Sequence, residues 1–135
     1  MSIPVELAEL ADAMAVYRFG YLLSIADDGR AHVVAVTPTI AEGSLVVADL
    51  GRRTSSNVAA RPAVTVLWPP AEPAGYSLIV DGQAAIDGDG MVTIVPERAV
   101  LHRPAQPAAD APVPAVAGDP APGCVSDCVE ISLTP

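Results

Sequence analysis

Tight-turn signals dominate the layout of this chain. Asp27-Asp28-Gly29, Glu42-Gly43 and Asp87-Gly88-Asp89-Gly90 each separate short runs rich in Val, Ile, Leu and Thr. Asp and Gly accept the positive backbone φ of short hairpin loops, so such steps between apolar runs join antiparallel neighbours. The expected strands are Phe19 to Ile25, Ala31 to Ile40, Ser44 to Ala48, Ala63 to Trp68, Tyr76 to Ile86 and Met91 to Val95. The first three are linked by tight turns and form a meander, not a βαβ unit. Pro38 marks a bulge or a sheet edge. Asp81-Gly82 is either a turn or a bulge that bends one long strand around a corner. Residues 96–102 fit one helical turn or a continuation of the extended chain.

Residues 4–15 have a different period. Leu7, Leu10, Ala11 and Met14 recur at helical spacing, Glu6, Glu9 and Asp12 fall elsewhere, and Pro4 suits a first turn. This predicts an amphipathic helix packed over an opening in the sheet. Thr54 to Ala60 reads as a second, short helix stopped by Pro62. Residues 103–123 hold six prolines and seven alanines, which excludes a regular helix or a central strand and predicts a semi-extended surface connection. Strand character returns from Val125 to Leu133. The sum is one domain, residues 1–135, and mainly β. It is a small barrel of six to seven antiparallel strands, with an N-terminal helix and a short helix between strands 3 and 4.

Composition narrows the function. A chain of 135 residues can bury one sizeable core, and with aromatic residues at 4% that core is aliphatic. Sixteen acids against seven bases leave a formal charge of -9. That sign excludes a nucleic-acid partner, which needs a basic surface, and docking on an anionic membrane. No basic N-terminal segment leads into an apolar one, and no uncharged apolar run approaches the ~18 residues of a membrane helix. The expectation is a soluble, cytoplasmic protein. Every base is Arg, so Schiff-base and P-loop lysine chemistry are ruled out.

Three of the seven arginines fall within residues 51–62, Gly-Arg-Arg-Thr-Ser-Ser-Asn-Val-Ala-Ala-Arg-Pro. Arg52 and Arg53 precede Thr54, Ser55 and Ser56 where strand character gives way to helix. A helix start exposes unpaired N–H groups and the positive end of the macrodipole, so arginines and hydroxyls there can cradle a phosphate. The same residues also fit a simple N-cap with solvated arginines.

The wording of residues 20–86 resembles the pyridoxamine 5′-phosphate oxidase-like family, as a small actinobacterial-type member. The likeness rests on Gly20-Tyr21-Leu22-Leu23-Ser24-Ile25, on Asp28-Gly29-Arg30-Ala31-His32-Val33-Val34-Ala35-Val36, and on the run from Arg52 to Leu67. The resemblance implies the FMN-binding split β-barrel fold and a homodimer with two flavin-type cofactors in grooves between subunits. It implies a phosphate held by Arg52, Arg53 and Thr54 with Ser55 adjacent, Asn57 capping or bracing the helix, and Trp68 lining the groove. The strand from His32 to Thr37 would run beside the flavin ring. Departures exclude the biosynthetic oxidase: its Ser-Arg-Lys is Arg52-Arg53-Thr54 here, and Val34 and Thr39 stand where it has basic residues. The expected function is binding of FMN, or alternatively of the deazaflavin coenzyme F420, with hydride transfer to or from a small organic substrate. The alternative is a cofactor-free dimer of the same fold that binds a small ligand.

Other candidates are weaker. Cys124 and Cys128 could share a metal with His32 and His102, though two small core residues account for them as well. Tyr17, Tyr21 and Tyr76 fit core or interface positions. Asp27, Asp28, Asp87 and Asp89 read as turn residues.

Overall fold

The computed structural model describes residues 1–105. Cys124, Cys128, the expected strand at Val125 to Leu133 and most of the 103–123 segment lie outside that range. In chain order the elements are β1 (Ser2–Pro4), a 3-10 turn (Leu7–Glu9), α1 (Leu10–Met14), β2 (Gly20–Ile25), β3 (Ala31–Val36), β4 (Thr39–Ala41) and β5 (Ser44–Val47). Then follow α2 (Arg52–Ala60), β6 (Ala63–Trp68), β7 (Ser77–Ile86) and β8 (Val92–His102). The strands form one antiparallel sheet in the order β3-β2-β6-β7-β8-β5-β4, with β1 paired to β8. Strand alternation turns Leu22, Val66, Val80, Leu45 and Ile94 to one side, where they pack with Trp68 and Leu10 in a single core.

The connectivity forces the sheet to curl. β3 and β4 stand at opposite ends of the strand order, yet only Thr37 and Pro38 join them. Three Cα steps span at most about 11 Å, so the two edges must nearly meet. The result is a barrel left open at that link, the split β-barrel. Ala31 to Ile40 is therefore two strands and not one. Pro38 is buried and has no N–H to give a ladder, so β3 ends before it. The short helix accordingly falls between β5 and β6.

β8 is longer than the turn-to-turn spacing suggests. The first half of β7 needs a partner, and residues 96–102 supply it, with Ser77 opposite His102 and Ile79 opposite Val100. On its other side β5 covers only Val92 to Ile94. Residues 2–4 complete that edge as β1, which satisfies backbone groups that would otherwise be orphaned. This takes Pro4 out of the expected helix over residues 4–15. What remains helical is the 3-10 turn and α1, whose Leu10 and Met14 enter the core while Leu7 and Ala11 stay exposed.

Asp81-Gly82 is a bulge: the β7–β8 register shifts there and Gly82 faces Pro96. A Cβ on Gly82 would collide with the Val95 carbonyl oxygen and come within 2.9 Å of Ile94 Cγ2. Gly82→Ala is expected to cost roughly 1–3 kcal/mol, as overpacking does, and to lower the urea midpoint. An unchanged midpoint would contradict the packing described for the bulge.

Met1, Tyr17 and Arg103 gather around Tyr76. The Tyr17 hydroxyl donates to the Tyr76 carbonyl at 2.7 Å, and the Arg103 guanidinium lies 4.4 Å from the Tyr76 ring centroid. Burial pushes the Tyr17 phenol above its ordinary value of 10.0. A raised folded-state value means stability that is complete below the unfolded pKa and lost as pH rises through the folded one. With no Lys to titrate in that range, Tyr17→Phe should flatten the fall in Tm above about pH 10, measurable by thermal melts across alkaline buffers.

Candidate functional site

α2 begins earlier than the hydroxyl run suggests. Its N-cap is Gly51, which has no side chain to offer, and its first ladder bond runs from Ser55 N–H to the Gly51 carbonyl at 3.1 Å. Thr54, Ser55 and Ser56 are thus inside the helix and none is the cap. Arg52 and Arg53 occupy its first two positions, and no acidic residue stands in that turn. Two cations at the positive end of a macrodipole are unfavourable by about 0.3–1 kcal/mol each. An anion placed there would reverse the sign.

The helix is anchored by a buried polar pair. Asn57 Nδ2 donates to Ser24 Oγ at 3.1 Å, with Asn57 5% and Ser24 0% exposed. At the far end Arg61 donates to the Ile25 carbonyl at 2.8 Å and to Asp27 at 2.6 Å, which ties α2 to the β2–β3 turn. Between that turn and the exposed side of α2 lies an open groove of ≈ 870 Å³. His32, Arg52, Arg53, Ser56 and Asn57 line it, and Asp27, Asp28 and Arg30 form the turn-side wall.

A second, smaller groove of ≈ 450 Å³ lies at the split of the barrel. Phe19, Val36 and Thr37 line one side, and Val47, Asp49 and Leu50 the other. Asp49 adopts φ 56°, in the left-handed region that Asp tolerates better than most residues, as the chain leaves β5 for α2. Gly51 therefore sits between the residues lining the two grooves.

The expected site residues are divided by this arrangement. His32, Arg52, Arg53 and Asn57 come together in the larger groove, and Thr37 lies in the smaller one. Ser55 is half-buried and lines neither. Thr54 is 1% exposed, and its Oγ1 has no hydrogen-bond partner among the described residues. Trp68 does not line a groove. At 2% exposed it belongs to the core, its ring close against Gly20, because strand alternation on β6 turns it inward with Val64 and Val66. Of the three hydroxyls at the helix start it is Ser56 that lines the groove, while Arg30 and the Asp27–Arg61 clamp carry no sign in the sequence, since hairpin and helix residues far apart in sequence do not show that they share a wall.

Chemically the α2 side of the groove offers mostly donors. Among the described residues neither Arg52 nor Arg53 has an acidic partner within 4.0 Å, whereas Arg61, Arg30 and Arg98 are each paired. Such a wall suits an anion. His32 and His102 do not converge: β2, β6 and β7 separate their strands in the sheet order, and His102 Nδ1 lies 3.1 Å from Ser2 Oγ. Among the described residues no cluster of three or more His, Cys, Asp and Glu is placed to hold a metal ion, and no helix is long and apolar enough to cross a membrane.

The Asn57–Ser24 pair gives a direct check on how the helix is held. Asn57→Ala leaves Ser24 Oγ buried without a partner and should cost roughly 1–3 kcal/mol, read as a lower denaturant midpoint. Retention of the parental midpoint would mean that the pair does not anchor α2.

Comparison with known proteins bears on the fold and the family. No family model matches the chain. The uncharacterized protein Mb0449c of Mycobacterium bovis is 42% identical over 144 residues, covering 96% of each chain, and MT0457 of Mycobacterium tuberculosis gives the same figures. Among solved structures, a FAD-binding protein from Mesorhizobium loti superposes with a TM-score of 0.60 at 17% identity, over 74% of this chain and 94% of that one. A protein of the pyridoxinephosphate oxidase family from Clostridium acetobutylicum, related to a general stress protein, gives 0.58 at 8% identity over 73% and 91%. A heme binding protein from Mycobacterium smegmatis gives 0.52 at 18% identity over 69% and 52%. At such identities the likeness is one of fold, and the fold is the split barrel that the residues from Gly20 to Ile86 resemble.

Proposed function

We propose that this chain, which belongs to the same family as the mycobacterial proteins Mb0449c and MT0457, binds a flavin-type cofactor and carries hydride between it and a small organic substrate. The observation that carries the reading is the start of α2. Arg52 and Arg53 line a groove at an uncapped helix terminus with no acidic partner among the described residues, on a chain of formal charge -9. A phosphate ester answers both the unpaired donors and the electrostatics of that turn. FAD-binding and heme-binding proteins that share the fold support a cofactor role for a groove of this kind. FMN is the favoured group, and coenzyme F420 is the deazaflavin alternative.

In this reading Arg52 and Arg53 bind the phosphate, and the unpaired Thr54 hydroxyl and Ser55 stand in the same turn. Asn57 braces the helix from below, and the stretch from His32 to Thr37, β3 and the residue after it, flanks the ring. A bound flavin supplies the redox chemistry, while the protein orients it and excludes water. A homodimer is part of the proposal. Phe19, Ile25 and Val33 are 43%, 37% and 51% exposed on the outer side of the β2–β3 edge, an apolar surface suited to a second copy.

A cofactor-free dimer that binds a small ligand is the second reading. It draws on β3, which carries no Arg or Lys and whose Val34 packs against the core, and on Thr39, which lies at the other sheet edge in β4. Absorbance of the purified protein and titration with FMN and F420 separate the two. Arg52→Ala and Arg53→Ala should each weaken FMN binding by ~1.5–3 kcal/mol, the value of a charge-assisted hydrogen bond, and leave riboflavin, which lacks the phosphate, unaffected. Equal losses for both ligands would contradict the phosphate assignment.

A further inference from the structure

The larger groove holds three of the chain's seven arginines. Arg52 and Arg53 come from α2, and Arg30 from the β2–β3 turn. None of the three guanidinium groups donates a hydrogen bond to the protein among the described residues. By contrast Arg61, Arg98 and Arg103 each do. Arg30 is the informative member. It is the backbone N–H of Arg30 that bonds Asp28, at 3.1 Å. Its side-chain Nε stands 3.7 Å from the same carboxylate, beyond hydrogen-bond length, with the side chain 87% exposed. The other carboxylate on this wall, Asp27, is already occupied by Arg61 at 2.6 Å.

Consecutive helical residues diverge by about 100° around the axis, so Arg52 and Arg53 reach the groove along different directions and not as one fork. With Arg30 lining the same groove from the β2–β3 turn, the donors come from two elements and not from the helix start alone. We infer that the groove takes a ligand carrying two linked anionic groups, a diphosphate, and that Arg30 is the residue that distinguishes it from a single phosphate. The inference rests on the anion-binding reading of the α2 start, though not on the anion belonging to a flavin.

The test uses the full chain, with inorganic phosphate and pyrophosphate as probes in isothermal titration. Three proteins are compared: the parent, Arg30→Gln, and the double variant Arg52→Gln with Arg53→Gln. Arg30 is a solvent-facing hairpin residue, so circular dichroism should report an unchanged fold. Pyrophosphate should bind the parent at least tenfold more tightly than phosphate. Arg30→Gln should erase most of that preference while changing phosphate affinity less than twofold, and the double variant should lose at least tenfold for both anions. An unchanged preference in Arg30→Gln, equal affinities in the parent, or no binding of either anion would overturn the inference. A parallel titration with FMN and FAD separates it from the flavin reading. Failure of both flavins alongside an Arg30-dependent pyrophosphate preference would overturn only the flavin assignment.

Discussion

Thr37 and Pro38 set the shape on which the rest depends. Two residues cannot carry the chain from one edge of a flat seven-strand sheet to the other, so the strand order β3-β2-β6-β7-β8-β5-β4 exists only as a curled one. Curling brings the end of β3 beside the end of β5 and opens the smaller groove at that seam. It also turns the buried faces of the strands inward, toward one aliphatic core closed by Leu10 and Met14 of α1. The bulge at Asp81-Gly82 serves the same curvature, since it bends the longest strand pair where the barrel needs a corner.

The site grows from how α2 is mounted on that barrel. Asn57 reaches down to Ser24 in β2, and Arg61 reaches across to the β2–β3 turn, so the helix and the hairpin become the two walls of one groove. Of the three arginines in residues 51–62, one is thereby consumed in structure and two are left at the helix start. On a strongly acidic chain, two cations without an acidic partner among the described residues, beside a positive dipole end, have an electrostatic cost that a bound anion removes. That balance, more than any single distance, is why the groove is read as an anion site.

Much of this was legible in the residues. The Asp-Gly and Glu-Gly turns gave the hairpins, and the apolar runs gave the strands between Gly20 and Ile86 except that Ala31 to Ile40 is broken in two at Thr37-Pro38. The run from Arg52 to Pro62 gave both the helix and the candidate phosphate contacts. Other features are decided by tertiary context. Whether residues 96–102 extend depends on the unpaired half of β7, and whether Pro4 is helical depends on the free edge of β8. The family resemblance implied Trp68 as a groove residue. The parity of β6 buries it instead. Arg30 drew no role from the sequence, because nothing local says that a hairpin residue will line the same groove as a helix start.

Phosphorus NMR of FMN added to the protein tests the central claim most directly. If the phosphate is held at the start of α2, its resonance should shift and broaden on addition of the parent protein and return to its free position when Arg52 and Arg53 are both replaced by Ala. A resonance that never moves, or that moves equally with the double variant, would place the anion elsewhere and leave the two arginines as surface residues.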